Sequence, residues 1–233
     1  MNTLLGMTNR WGSLRSSADI LSRKHAVNFV VVIAIVGAVW PVMSRCAAGE
    51  YNEVLSIGDA APTWERLPGT DGRQHGLAEL AAYPVVVVVF TCVSCPTAVD
   101  YEDRLQELAK KYAEGRRAAV VAICVNRIEE DRLPALTKRA ERKHFVFQYL
   151  YDESQQIARQ YGAIFTPECF VLDRERRVVY MGAFDDSTDP AGVQQRYVED
   201  AVEAALRGEL PKVRETIARG CRVRYARERR ASE

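Results

Sequence analysis

Residues 84–97 read PVVVVVFTCVSCPT, and this stretch decides the fold. Pro84 to Phe90 is an unbroken run rich in β-branched side chains with no polar alternation, which predicts a central strand covered on both faces. From Thr97 to Glu114, Tyr101, Leu105, Leu108 and Tyr112 recur at helical spacing, acids cluster early and Lys110 and Lys111 come late. Gly115 supplies a stop, so a helix is predicted over that span. Cys92-Val93-Ser94-Cys95 therefore lies where a buried strand gives way to a helix.

Outward from this unit the same alternation continues. Ala118 to Val125 reads as a second buried strand, and Asp131 as the cap of a helix carrying Leu133, Leu136 and Ala140, with Pro134 tolerated in its first turn. Phe145 to Tyr151 is a predicted strand. Asp152 with Gln155 resembles a capping box for a short helix presenting Ile157 and Tyr161 and stopping at Gly162. Cys169 to Leu172 and Val178 to Phe184 form a predicted hairpin around Asp173 to Arg177. A last helix begins at an Asp189 cap with Pro190 in first position, sets Val198, Val202 and Ala205 on one stripe, and ends before Gly208. Such alternation implies an α/β fold: a parallel-containing sheet with helices on both faces, finished by an antiparallel hairpin.

A chain of 233 residues, 48% hydrophobic and 27% charged, can bury one substantial core and carry an appendage. Lys and Arg total 32 against 31 Asp and Glu, a net charge of +1 that gives no general reason to bind nucleic acid. Arg10, Arg15, Arg23 and Lys24 precede an uncharged apolar run from Ala26 to Met43, which suits a signal-peptide core or a short membrane anchor. Cys46-Ala47-Ala48 offers small residues for cleavage, and the charge bias keeps the N-terminus cytoplasmic, so an exported or membrane-tethered domain outside the cytoplasm is expected. The expected organisation is a signal or anchor over 1–48, a linker over 49–54, the domain over 55–212 and a basic tail over 213–233. Arg222, Arg224, Arg227, Arg229 and Arg230 make that tail read as solvated and frayed.

A Cys-x-x-Cys pair at a helix start suits dithiol chemistry, because unpaired backbone N–H groups and the dipole favour a thiolate. On this reading Cys92 is the nucleophile, and Cys95, one turn on, resolves the mixed disulfide. A zinc half-site would need a second Cys-x-x-Cys or a His pair, and neither is present. No resident cofactor or metal is expected. Cys124 reads as a small buried hydrophobe, Cys169 as core filling on the face shared with Pro167, and Cys221 as either a third thiol at the site or a free cysteine. His144 reads as a solvated helix end, and Asp185-Asp186 as a turn or a cation contact.

The dithiol, Thr166-Pro167 ahead of a strand, the opening Ser56 to Leu80 and the segment Tyr180 to Asp186 together resemble the thioredoxin-like redoxin family, the branch that includes AhpC/TSA peroxiredoxins and exported thioredoxin-like reductases. The resemblance implies a thioredoxin-like fold with a central mixed sheet flanked by helices, an N-terminal redoxin-type extension, and Pro167 in cis facing Cys92 and Cys95. It also implies a thiol–disulfide oxidoreductase acting on protein thiols or disulfides with an unidentified electron donor. The strand Val85 to Val89 lacks the buried acid many thioredoxins place there, so another base or water must serve Cys95. The sequence around Cys95 also partly resembles the peroxidatic segment of peroxiredoxins, which makes hydroperoxide reduction the alternative activity. A copper-binding metallochaperone-like module is the non-enzyme alternative, although the cysteine spacing of such carriers is not matched.

Overall fold

The computed structural model describes residues 49–227. The apolar run at Ala26 to Met43, the Cys46-Ala47-Ala48 segment, Arg229 and Arg230 lie outside the described residues. Among the described residues no helix is long and apolar enough to cross a membrane.

Strands β1 (Leu67–Pro68) and β2 (Gln74–His75) pair as a small hairpin ahead of β3 (Val85–Phe90). Helices α1 (Pro96–Asp100) and α2 (Glu102–Ala113) lead to β4 (Ala118–Cys124), and α3 (Leu133–Lys143) leads to β5 (Gln148–Tyr151). Then follow α4 (Gln156–Tyr161), β6 (Phe165–Thr166), β7 (Glu168–Leu172), β8 (Val178–Gly182), α5 (Tyr197–Leu206) and β9 (Cys221–Arg222). The main sheet runs β5-β4-β3-β7-β8. β4 is parallel to both β3 and β5, whereas β7 is antiparallel to β3 and to β8, so the sheet is mixed.

The valine run lies at the middle of this sheet because both of its faces are covered. Val86, Val88 and Phe90 point into a core with Trp64, Leu150, Tyr161 and Phe170, while Val85, Val87 and Val89 meet Leu105, Tyr112, Val198 and Val202 on the other side. All six residues of β3 are fully buried, as expected for a strand whose side chains alternate between two apolar layers. The N-terminal extension is tied to the sheet by the Gly58 and Ala61 amides, which donate to Val178 and Arg176 carbonyls, and by Thr70 N–H to Tyr149 O.

Four local expectations need correction. The helix over Thr97 to Glu114 is two helices that break at Tyr101, whose hydroxyl reaches Asp185 at 2.9 Å and whose ring meets Phe184 and the Arg104 guanidinium. Asp131 does not cap α3; Arg132 occupies that position without a side-chain bond, and Asp131 is committed elsewhere. Asp189 and Pro190 start only a single turn, Pro190–Gly192, and α5 begins separately at Tyr197. Asp152 does cap α4 through Ile157 N–H at 2.9 Å, but Gln155 forms no capping box. Its amide, buried among backbone groups, bonds Val125 O, Arg224 O and Ala226 N–H.

Those Gln155 bonds also correct the frayed tail. Val223 N–H donates to Ile164 O, Arg224 N–H to Asn126 Oδ1 and Tyr225 OH to Ala163 O, while the Val223 side chain enters the core. Each polar group on this segment that finds a partner on the domain resists fraying, whatever the charge of its neighbours. Through Ala226 the segment is docked.

Candidate functional site

The end of β3 and the start of α1 bring two sulfurs into a small cluster with Ala98, Ala122, Cys124, Leu136, Tyr149 and Tyr151. Both are nearly inaccessible, Cys92 at 3% exposure and Cys95 at 0%. The helix start belongs to Cys95, not Cys92. Cys95 is the N-cap of α1, has extended backbone angles, and its Sγ accepts the Ala98 N–H at 3.4 Å. A second backbone donor, Cys221 N–H, approaches the same sulfur at 3.3 Å.

These contacts divide the proton between the two thiols. The Cys92 thiol is the largest influence holding Cys95 below the ordinary cysteine range, and the Cys221 and Ala98 groups act in the same direction against the cost of burial. Cys92 is correspondingly pushed up, first because its proton is shared with Cys95, then by burial and by the Asp131 carboxylate. One contact opposes the Cys95 thiolate: Thr166 O, at 3.1 Å, accepts its proton when the group is neutral. The donors outnumber it. The helix-terminus argument thus transfers from Cys92 to Cys95, because the helix begins one residue after Cys95.

Asp131 supplies the buried carboxylate that β3 lacks. Fully buried between β4 and α3, it accepts Val93 N–H at 2.9 Å, Ser94 N–H at 2.8 Å, Ser94 Oγ–H at 2.6 Å and Asn126 Nδ2–H at 2.9 Å. The dithiol loop amides that could have stabilised a Cys92 thiolate are therefore spent on Asp131. Ser94 Oγ also stands 3.7 Å from Cys92 Sγ. From the sequence Asp131 was indistinguishable from an ordinary cap, because its partners are 37 and 38 residues away.

Thr166-Pro167 is a cis peptide, as the resemblance implied. Thr166 Oγ1 is 3.5 Å from Cys92 Sγ, so the residue before the proline touches both cysteines. Glu168, on the other side of Pro167, accepts Ile164 and Phe165 N–H at 2.7 and 2.9 Å and fixes the approach to this turn. Pro167 itself lines a neighbouring recess with Tyr101, Phe184, Ser187 and Arg219. Antiparallel pairing of β6 with β9 then sets Thr166 opposite Cys221.

The other candidates separate clearly. Cys124 Sγ donates to Asp131 O at 3.4 Å, and burial pushes its thiol up, so it belongs to the site's wall rather than to its chemistry. Cys169 lies in the neighbouring cluster on the same sheet face, paired with Val89 and packed among Val171 and Tyr180, and is core filling. Asp185 is buried with Arg104 Nη1 at 2.5 Å, and Asp186 accepts Gln194 and Gln195 N–H, so Asp185 is committed to a guanidinium and Asp186 to the turn. His144 ends α3 in left-handed conformation at an exposed position. Among the described residues no group of three or more His, Cys, Asp or Glu is placed to hold a metal ion, so the metal-carrier alternative finds no ligand set there.

No curated protein matches this chain. A hypothetical protein from Sinorhizobium meliloti 1021 is 32% identical, with a TM-score of 0.68, over 75% of this chain and 97% of its own. The peroxidoxin BcpB from Mycobacterium tuberculosis is 24% identical over 66% of this chain and 97% of its own, TM-score 0.51. A thiol:disulfide interchange protein of the thioredoxin family from Chlorobium tepidum TLS is 19% identical over 65% and 99%, TM-score 0.50. The last two likenesses carry the fold, a thioredoxin-like mixed sheet flanked by helices. The AhpC/TSA family profile matches residues 57–181, more than half of the chain. On that match, and with a dithiol set against a cis-proline turn, the chain belongs to the AhpC/TSA family of redoxins.

Proposed function

We propose that the protein is an exported or membrane-tethered thiol–disulfide oxidoreductase that stores and transfers two electrons through Cys92 and Cys95. The observation that carries this reading is the placement of the two sulfurs against one turn: Cys92 Sγ stands 3.5 Å from Thr166 Oγ1 and Cys95 Sγ 3.1 Å from Thr166 O, beside the cis Thr166-Pro167 bond, with Cys95 at the start of α1. A shared proton between adjacent thiols is the reduced state of a disulfide-forming pair. Cys95 is then the attacking sulfur and Cys92 the thiol that displaces the partner, the reverse of the order read from the sequence. Attack on a partner disulfide forms a Cys95 mixed disulfide and releases one partner thiolate. Cys92 then attacks Cys95 Sγ, closing Cys92–Cys95 and releasing the second thiolate, so the partner gains the two electrons the protein loses. Pro167 shapes the surface beside the pair. The Ala26 to Met43 run and its basic flank support export.

The test is turnover of a protein disulfide by the full chain with a small dithiol as donor. Loss of turnover in Cys95→Ser, with retention of a single attack in Cys92→Ser, is expected. Thiol peroxidase activity is the second reading, favoured by one observation: the sulfur bearing the charge is fully buried, where a hydroperoxide fits more readily than a folded partner. Fast peroxide consumption that survives loss of Cys92 but not Cys95, with no disulfide turnover, would replace the first reading by the second.

A further inference from the structure

Cys221 is an exposed cysteine whose backbone is in contact with the buried pair. Its backbone N–H lies 3.3 Å from Cys95 Sγ, and its strand partner Thr166 touches both buried cysteines. The Cys221 side chain is exposed, whereas Cys92 and Cys95 are sealed. Gly220 makes this approach feasible: at φ +151° it brings the chain so close to β6 that a Cβ would stand 2.0 Å from Thr166 O. Any other residue there would push Cys221 away from the site.

From this placement we infer that Cys221 is a relay thiol, through which a thiol or disulfide partner at the surface exchanges with the buried Cys92–Cys95 pair. The inference rests on the dithiol reading above and adds the route by which partners reach it.

In the reducing direction Cys221 thiolate attacks Cys95 Sγ of the Cys92–Cys95 disulfide. The Cys92–Cys95 bond breaks, a Cys95–Cys221 bond forms, and Cys92 leaves as a thiolate that takes up the proton Cys221 lost; no electrons are gained or lost. A partner thiol then attacks the exposed Cys221 Sγ, and Cys95 leaves as the thiolate. A second partner thiol attacks the partner sulfur of that mixed disulfide and frees Cys221, so two partner thiols are oxidised to a disulfide as the pair is reduced. Departure from Cys95 is favoured because the Ala98 and Cys221 amides hold the leaving charge. While Cys95 is a thiolate, the Cys221 thiol shares its proton with it and is held above the ordinary range. Once Cys95 is locked in a disulfide that hold is gone, and the Arg224 guanidinium favours the Cys221 thiolate.

The test maps disulfides by alkylation and mass spectrometry after the reduced full chain is titrated with oxidised glutathione. Wild type should show glutathione on Cys221 first, then Cys95–Cys221, then Cys92–Cys95. Cys92→Ser should accumulate Cys95–Cys221. Cys221→Ser and Gly220→Ala should still reach Cys92–Cys95, but more slowly by about tenfold or more, since the exposed entry sulfur is absent or displaced. Cys95 and Cys221 remaining separately alkylated in Cys92→Ser, or wild-type rates in Cys221→Ser, would overturn the relay while leaving the dithiol reading intact. A wild-type chain that forms Cys95–Cys221 but never Cys92–Cys95 would overturn the dithiol reading and the relay's final step together.

Discussion

Asp131, after β4, and Asp185, after β8, are both buried carboxylates, yet their surroundings differ in kind. Asp185, 3% exposed, faces the Arg104 guanidinium and the Tyr101 hydroxyl, so its charge is cancelled by a fixed cation and the group ties α1 and α2 to the segment after β8. Asp131, 0% exposed, is held by four neutral donors from the dithiol loop and Asn126. Hydrogen bonds from neutral groups stabilise a carboxylate without removing its field. The first pair serves the fold. The second leaves a negative charge beside Cys92, which adds to the proton shared with Cys95 and to burial in holding the Cys92 thiol up.

The comparison breaks most visibly at Arg104. Arg104→Ala strands the Asp185 charge in the interior and should cost about 3–5 kcal/mol in chemical denaturation, with the Cys92/Cys95 potential unchanged. A shifted potential would show that the two carboxylates are not independent. Asp131→Asn should cost less, about 1–3 kcal/mol, because the two loop N–H bonds to Oδ1 survive while the new amide faces the Asn126 donor. It should also let Cys92 ionise more readily and make the pair more oxidising in a glutathione redox titration, since a stabilised reduced form raises the potential. An unchanged potential would deny Asp131 its electrostatic part.

Two smaller effects sharpen the same contrast. With its folded-state pKa below the ordinary thiol value of about 8.5, Cys95 contributes stability that is fully present above that value and is lost as pH falls toward its folded pKa. Stability of the reduced protein relative to the oxidised one should therefore rise with pH across that window by at most about 1.4 kcal/mol per pH unit, and Cys95→Ser should flatten the rise. Above the window the raised Cys92 acts oppositely, its contribution being full below the ordinary value and lost as pH climbs. Cys169→Ala, in the core cluster beside the site, should cost only about 1 kcal/mol and leave disulfide mapping and thiol titration as in wild type.

Local pattern carried far into this molecule. The valine run, the position of the dithiol between strand and helix and the β7–β8 hairpin were all legible, because each is written in the spacing of neighbouring residues and meets two covered faces or one turn, while the cis Thr166-Pro167 was legible only through the family resemblance. Helix starts were less legible. Asp131 and Asp189 both carry the side chain a cap needs, but Asp131 finds better partners across the fold and Asp189 caps a turn that stops after Gly192.

The sequence by itself determined the strands of the main sheet and which two cysteines stand at the strand–helix junction. Only the tertiary structure decided which donors and acceptors each sulfur meets and which other groups join them. Asp131 reaches the loop from 37 residues away and Cys221 reaches Cys95 from 126 residues away. Periodicity reports a residue's own face and its near neighbours, whereas a thiol's acidity follows from whatever donors and charges packing brings within a few ångströms, from any point along the chain.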